Sequence, residues 1–398
     1  MLISFVTDLH VQDQRLDGDH GHAALLTTTV QQIREAGCDL VLIGGDLAGV
    51  SVPHKATIRE RNALVQFVLA LAEIAPVVIC RGNHDTVGDY AFLGHLAGVQ
   101  PIFFVEDGPE LIDTGNAAVM VLPWLDRGRV VGPDQDYGQV VREIYAGALA
   151  DCADDLRSAR SAGQPAIVLT HAAMPDAMIR DGQPIVPTAD PVIALDALLA
   201  DVEVDAVFVG HYHLHQRVAG PVPAWYGGSL FCNDHGENPD KGWLLYNSDT
   251  RSADLRLVDQ PWRLTIRIDD GIIQAVDPAG GCDEIVGRSV AEAEDILRTL
   301  QIPAHVRIEA KVTEARLTEQ TVAIARLRAE LVAGALSVKV EVSPQRTLRV
   351  RDGAVDLANA ETIPAKVKQF AGQLAPRPAA PVLKRSLQLL DDMIASEA

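Results

Sequence analysis

The chain has 398 residues and a formal net charge of −20; at roughly 100–200 residues per domain, two or three domains can bury a core without disulfide or metal staples. Hydrophobic residues at 48% and charged residues at 22% exclude a disordered, collagen-like or coiled-coil chain, and no apolar run approaches the roughly 18 residues of a membrane span. The acidity argues against a protein that wraps nucleic acid nonspecifically.

That average hides a split, because residues 1–260 hold 16 Lys+Arg against 35 Asp+Glu while residues 261–398 hold 18 against 19. Five scattered cysteines, an odd number without a C-x-x-C pair, make a disulfide framework or zinc ribbon a poor expectation. The start, M-L-I-S-F-V-T-D-L-H, has neither a basic n-region nor a small-residue cleavage site. A reducing cytoplasm and no membrane are the expectation.

In chain order, Leu2–Val6, Asp39–Ile43, Pro76–Ile79, Ala118–Leu122, Ala166–Leu169 and Ala206–Val209 are short Val/Ile/Leu-rich runs, each followed by Gly, Asp, Asn or His. They predict buried strands ending in loops. Between them, Ala23–Ala36 and Arg61–Glu73 carry apolar residues at three- and four-residue spacing and predict helices. Strands alternating with helices imply an α/β layered domain whose sites sit in the loops beyond the strand ends.

Near residue 260 the pattern changes. Trp262–Ile268 alternates with period two, and the segments after it predict a helix at Val290–Leu300, a strand at His305–Val312, a helix at Thr318–Val332 and a strand at Ser337–Val342, a small α+β domain. Ala375–Pro381 is Pro-rich and predicts a stiff linker. Beyond it Leu383, Leu387, Leu390 and Ile394 fall at helical spacing, so an amphipathic helix ends the chain, to pack on its own domain or on a partner.

Five motifs each close a predicted strand: Asp8-Leu9-His10, Gly45-Asp46, Gly82-Asn83-His84-Asp85, His171, and Gly210-His211-Tyr212-His213. A lone His after a strand is a weak signal. Together they bring carboxylate, imidazole and amide ligands to one sheet edge, which is what a two-metal site needs, and that mixture suits manganese, iron or zinc better than calcium or magnesium.

The set D-x-H, G-D, G-N-H-D, H, G-H-x-H, in that order, resembles the calcineurin-like metallophosphoesterase superfamily. The resemblance implies that Asp8, His10 and His213 hold one metal, that Asp46 bridges, and that Asn83, His171 and His211 hold the second. It also implies that His84 is no ligand but acts over the metals on the transition state or leaving oxygen, with Asp85 orienting it. Two divalent cations lower the pKa of water and neutralise charge on a phosphoryl group, so the implied reaction is phosphoester hydrolysis.

Downstream, Tyr226, Gly228 and Ser229 (Y-x-G-S), then Glu237, Lys241 and Gly242 (E-x-x-x-K-G), resemble the nuclease subunit SbcD of the double-strand-break repair complexes. That resemblance implies an α/β architecture in which a layered αββα nuclease domain spans 1–260. A small α+β capping and DNA-binding domain follows over 261–374, and 375–398 supply the linker and a helix that docks on the ATPase. It implies a Mn2+-dependent DNA exonuclease/endonuclease acting on duplex ends, hairpins and single strands, a homodimer, and an SbcC-type coiled-coil ATPase partner held by 382–398. Where the family continues the second motif as G-D-x-F-D/H, Ala48 and Gly49 stand here.

Other residues carry weaker signals. His20 and His22 (D-G-D-H-G-H) are expected in a solvated loop, while His54, His95, His215, His235 and His305 are expected to be structural. Trp225 and Tyr226 could stack on a base, with core packing expected for at least one. Residues 343–385 hold eight Lys+Arg against three acids, a candidate basic surface on an acidic chain. Two other readings use the same residues: a phosphatase or phosphodiesterase acting on small substrates, and a non-catalytic regulator of the ATPase.

Overall fold

The structure, a computed structural model, describes residues 1–50, 53–180, 183–184, 190–233, 235, 237, 240–269, 272–276, 304–313 and 336–345. Two compact units are formed by Met1–Glu309 with Ala325–Glu341 and by Ala310–Ile324 with Val342–Ala398. The two large sheets and the candidate site belong to the first.

The first half of the chain runs through β1 (Leu2–Val6), α1 (His22–Ala36), β2 (Leu40–Ile43), α2 (Ile58–Ala72), β3 (Val77–Cys80), β4 (Ile102–Val105), β5 (Glu110–Asp113) and β6 (Ala118–Leu122). Next come α3 (Arg127–Val130), α4 (Tyr137–Asp151), α5 (Ala153–Ser161), β7 (Ala166–His171), the small hairpin β8 (Met178–Arg180) and β9 (Gln183–Pro184), and α6 (Leu195–Leu198). The rest is β10 (Ala206–Gly210), β11 (Gln216–Val218), β12 (Ala224–Tyr226), β13 (Gly242–Asn247), β14 (Ser252–Leu257), β15 (Trp262–Asp269), β16 (Ile272–Val276), β17 (Ala304–Thr313) and β18 (Ser337–Gln345).

Two six-stranded sheets result, ordered β14-β13-β1-β2-β3-β4 and β11-β12-β10-β7-β6-β5, with a four-stranded sheet β16-β15-β17-β18 besides. Side-chain parity in the strands explains the layering. Leu40 and Leu42 point one way and pack with Phe5, Val78, Ile167, Leu169 and Phe208 between the sheets. Val41 and Ile43 point the other way, onto Leu26, Val30 and Ile33 of α1 and Leu64, Val68 and Leu71 of α2. In the second sheet, Val168 and Val207 face Val141, Tyr145 and Leu149 of α4 and Leu156 of α5. Both faces of each central strand are buried, which is why these strands read as unbroken apolar runs. The result is the αββα sandwich.

β1, β2, β3 and β4 are parallel, as are β6, β7, β10 and β12. Parallel strands deliver all their C-terminal loops to one edge, the usual place for a site in such sheets. The predicted segments at 2–6, 118–122, 166–169 and 206–209 lie on strands, those at 39–43 and 76–79 do so from their second residue on, and 262–268, 305–312 and 337–342 lie on strands as well. The helices expected at 290–300 and 318–332, the Pro-rich segment and the terminal helix lie outside the described residues. Among the described residues no helix is long and apolar enough to cross a membrane.

Candidate metal centre

Each motif leaves its strand and turns at once. Asp8, His10, Asp46 and His211 have positive φ values of 50°, 43°, 53° and 101°. Non-glycine residues hold this region only where the surroundings enforce it, and such strain collects at functional sites. The turns are pinned by backbone bonds from Asp8 N to Gly45 O (3.0 Å) and from His10 N to Asp46 O (2.9 Å). Gly45 sits at φ +94°, and a Cβ there would lie 2.9 Å from His171 Nδ1, so only glycine lets the two loops close on each other.

The side chains converge in three overlapping groups: Asp8, His10 and His213; Asp8, Asp46 and His171; and His10, Asp46 and His84, the ligand atoms of each lying within 4.8 Å of one another. Asp46 Oδ2 is 3.7 Å from His10 Nε2 and 3.5 Å from His171 Nε2, between the two halves of the cluster. Asn83 Oδ1 is 3.0 Å from both His171 Nε2 and His211 Nδ1. All seven residues expected as ligands therefore meet at one place.

Three imidazoles have one nitrogen committed outward. His10 Nδ1 donates to Gly49 O (2.6 Å), His171 Nδ1 to Gly44 O (2.7 Å) and His213 Nδ1 to Glu237 Oε1 (3.1 Å). Such outer partners fix the tautomer and turn the lone pair of Nε2 inward, as metal ligation requires. His10 Nε2 and His213 Nε2 then face each other at 3.0 Å. Two lone pairs this close are repulsive unless a proton or a cation lies between them: burial pushes His10 down to about 4, whereas His213, despite its burial, is raised by the Glu237 hydrogen bond and the Asp8 charge, so His213 carries the proton that a cation between them would replace. The donor set fits divalent cations.

Charge is shared unevenly. Burial alone would raise Asp46 and lower His171, but their mutual attraction holds the Asp46 carboxyl well below the usual range and lifts His171 to about 9. Burial, and then the Asp46 carboxylate, push Asp85 up to about 7.

His84 belongs to the third of these groups: its Nε2 is 3.9 Å from Asp46 Oδ2 and its ring meets that of His10 edge-on at 4.8 Å. Its backbone N–H donates to Asp46 Oδ1 (2.9 Å). Asp85 behaves differently from expectation. Its carboxylate accepts from the N–H groups of Asp46 (2.9 Å), Leu47 (2.8 Å) and Gly82 (2.9 Å), and among the described residues the His84 ring is not one of its partners. Asp85 therefore holds the Asp46 turn, because those three N–H groups would otherwise be buried without acceptors.

Several residues of the site carry no metal-ligand signal in the sequence. Glu237 and Lys241 stand out there only as a family signature. In the structure Glu237 orients His213, while Lys241 Nζ bonds Glu237 Oε2 (3.2 Å) and the carbonyl of His213 (2.7 Å). The buried Arg81 ties the G-N-H-D loop to Glu106 O (3.1 Å), Asp85 O (3.0 Å) and the carbonyl of Trp124. Trp124 lies against His211, ring centroids 5.3 Å apart, and Asp190 Oδ2 is 3.5 Å from His211 Nε2.

The departure at Ala48 and Gly49 has a local compensation. Ala48 pairs with Val11 and is fully buried. Gly49 has φ +69°, and a Cβ on it would lie 2.2 Å from the His54 ring. His54 thus fills the space, bonded to Glu60 at 2.8 Å, and its backbone N–H donates to the carbonyl of His84 (2.6 Å). Two expectations are corrected. His22 is buried, not solvated, with its ring stacked on Phe231 at 4.6 Å. Core packing, expected for at least one of Trp225 and Tyr226, holds for both, which leaves no face to stack on a base.

Residues 1–215 match the family model described as Calcineurin-like phosphoesterase. The chain belongs to that family. Its members bind divalent metals and hydrolyse phosphoesters, and the fold and ligand clusters described above are those of a metallophosphoesterase. Among curated protein sequences none matches. Similar solved structures include GAP50, the anchor in the inner membrane complex of Plasmodium, at 12% identity over 73% of this chain and 89% of that one, TM-score 0.39. A Staphylococcus aureus protein described as a 5'-nucleotidase is 14% identical over 65% of this chain and 53% of its own, TM-score 0.35. The purple acid phosphatase PPD1 of yellow lupin is 16% identical over 70% of this chain and 50% of its own, TM-score 0.35.

Proposed function

We propose that this phosphoesterase is a DNA nuclease of SbcD type that cleaves phosphodiester bonds with two Mn2+ ions. Asp8, His10 and His213 would hold one ion, Asn83, His171 and His211 the other, and Asp46 both. Bound there, the ions would supply an activated water and neutralise charge on the phosphoryl oxygens. The chain's own residues do the rest. His84, half-open to the site, donates a proton to the leaving oxygen or a hydrogen bond to the phosphoryl group; Asp85 and Arg81 keep its loop in register with Asp46. Trp124 shields the His211 side.

The observation that carries the nuclease reading is the link from Glu237 and Lys241 to His213. The residues that define the resemblance to the repair nucleases are the ones that orient a ligand. The remainder of the reading rests on the resemblance: DNA as substrate, a homodimer, a cytoplasmic setting, and a coiled-coil ATPase docked on 382–398. The weak basic character of 343–385 on an acidic chain favours a nuclease loaded by a partner over one that captures DNA unaided.

The test is a cleavage assay on end-labelled duplex, hairpin and single-stranded DNA with manganese, alongside nucleoside phosphates and a generic phosphodiester. Cleavage of DNA that disappears with His84→Ala supports the reading. Hydrolysis of the small substrates with none of DNA, with or without the ATPase, would replace it with a small-molecule phosphodiesterase.

A further inference from the structure

We propose that the cavity at the N-terminus of α1 is an oxyanion site that takes a phosphate group, distinct from the metal centre and independent of the nuclease reading. The cavity, about 210 Å3, is enclosed by the 14–22 loop, Phe231–Cys232, the 260–263 segment at the start of β15, and His305.

Its lining opposes the charge of the rest of the chain. In a protein of net charge −20, Arg15, His20, His22, Arg263 and His305 line one small space, with Asp17 the one carboxylate among the described residues there. That carboxylate is paired with Arg59, whose Nη2 reaches its two oxygens at 2.6 and 2.7 Å while Nη1 binds Asp13 Oδ1 at 2.6 Å. Among the described residues no other acid is on the wall.

Two donors there await a partner. Arg263 is only 8% exposed; its Nε donates to Cys232 O (2.7 Å), and among the described residues nothing accepts from its terminal nitrogens. Burying a guanidinium without a counter-charge is costly, and an anion in the cavity removes that cost. Gln260 uses its Oε1 to accept from Cys232 N (2.7 Å), while its buried Nε2 has no partner among the described residues.

The remaining groups point the same way. His22 Nδ1 accepts from Gln12 N (3.2 Å), which places the proton of the neutral ring on Nε2 as a further donor. The fifteen-residue α1 has Gly21 at its N-cap, no side-chain cap and no acidic residue in its first turn, so the positive end of its dipole lies at the cavity. Burial, then Arg15 and Arg263, depress His22 to about 3, and burial, then Arg263 and Arg15, depress His305 to about 4. Planar guanidinium forks, amide and imidazole donors and a helix N-terminus are the chemistry that recognises a phosphate oxyanion. The volume admits a phosphate or a small phosphate ester and excludes a duplex.

The test is equilibrium dialysis of the full chain with radiolabelled inorganic phosphate, as purified and after chelation of metals. The chelated protein should retain one saturable equivalent, and Arg263→Gln should weaken it about tenfold or more, as for loss of a charge-assisted bond. Arg15→Gln, at the rim, should do likewise and guards against misfolding of the Arg263 variant. His171→Ala should leave this equivalent unchanged. Competition by thymidine 5'-monophosphate but not thymidine would identify an ester phosphate as ligand; binding of inorganic phosphate alone would identify the free ion. Loss of all saturable binding on chelation, or binding insensitive to both arginine variants, would overturn the proposal.

Discussion

Glu237 Oε1 lies 3.1 Å from His213 Nδ1, and the same carboxylate holds Lys241 at 3.2 Å on its other oxygen. Burial would raise Glu237, but the hydrogen bond from His213 and the Lys241 charge hold it down to about 2, so it stays an ionised acceptor. Glu237→Ala should therefore free the His213 ring and lower metal affinity by about 10–100-fold, the range for lost outer-sphere support. Titration of metal into chelated protein reads this; unchanged affinity would show that Glu237 does not orient the ligand.

His84→Ala should leave metal content intact and reduce phosphodiester hydrolysis by about 10²–10⁴-fold, the usual contribution of a positioned proton donor. Elemental analysis beside a rate measurement separates the two effects. Loss of metal with the activity per bound metal preserved would make His84 a ligand.

Asp46→Ala should do the reverse. Its Oδ2 lies between His10 and His171, so both halves of the cluster lose a carboxylate. Metal content should fall at both positions, and a variant retaining two ions per chain would contradict the bridging role.

The His171–Asp46 pair makes metal uptake pH-dependent. In the metal-free protein His171 is lifted from 6.5 to about 9, so a cation entering at neutral pH must displace a proton. Calorimetry in buffers of different ionisation enthalpy should show proton release, and metal affinity should rise as pH increases toward 9. The same shift ties stability to pH. A folded-state pKa above the unfolded one contributes stability that is complete below about 6.5 and lost as pH rises through about 9, so the metal-free melting temperature should decline across that window. His171→Asn should flatten both dependences.

Under the proposed docking, deleting 382–398 should abolish co-purification with a coiled-coil ATPase and leave the melting temperature nearly unchanged. Leu383, Leu387, Leu390 and Ile394, at helical spacing in the sequence, are worth roughly 1.5–3 kcal/mol each when buried, and an isolated helix of about three turns would be unstable in water, so on the proposed reading the stripe needs a partner surface. A large drop in melting temperature would assign that surface to the chain itself.

Much of the centre was legible because its chemistry is local. Strand parity and the Gly, Asp, Asn and His residues after each run mark the sheet edge, and Asp8, His10, Asp46, Asn83, His171, His211 and His213 stand in the order that parallel strands deliver them. The two central layers were legible for the same reason, since strands buried on both faces are apolar at every position. The edge strands β14 and β5 were not, because exposed edge positions dilute the pattern.

Only the tertiary structure decided the roles that depend on who meets whom across long loops. Asp85 looks like the partner of its neighbour His84, yet its oxygens satisfy backbone N–H groups of residues nearly forty positions earlier. Glu237 and His213, 24 residues apart, become an oriented pair, and His54 occupies the space that Gly49 leaves. The D-G-D-H-G-H loop reads as solvated from its composition, but closure of residues 231 and 260–263 over it buries His22 and gathers Arg15 and Arg263 around one cavity. Ligand identity is written in residue type and order; orientation, protonation and enclosure come from contacts that exist only once the chain has folded, because each depends on burial and on partners distant in sequence.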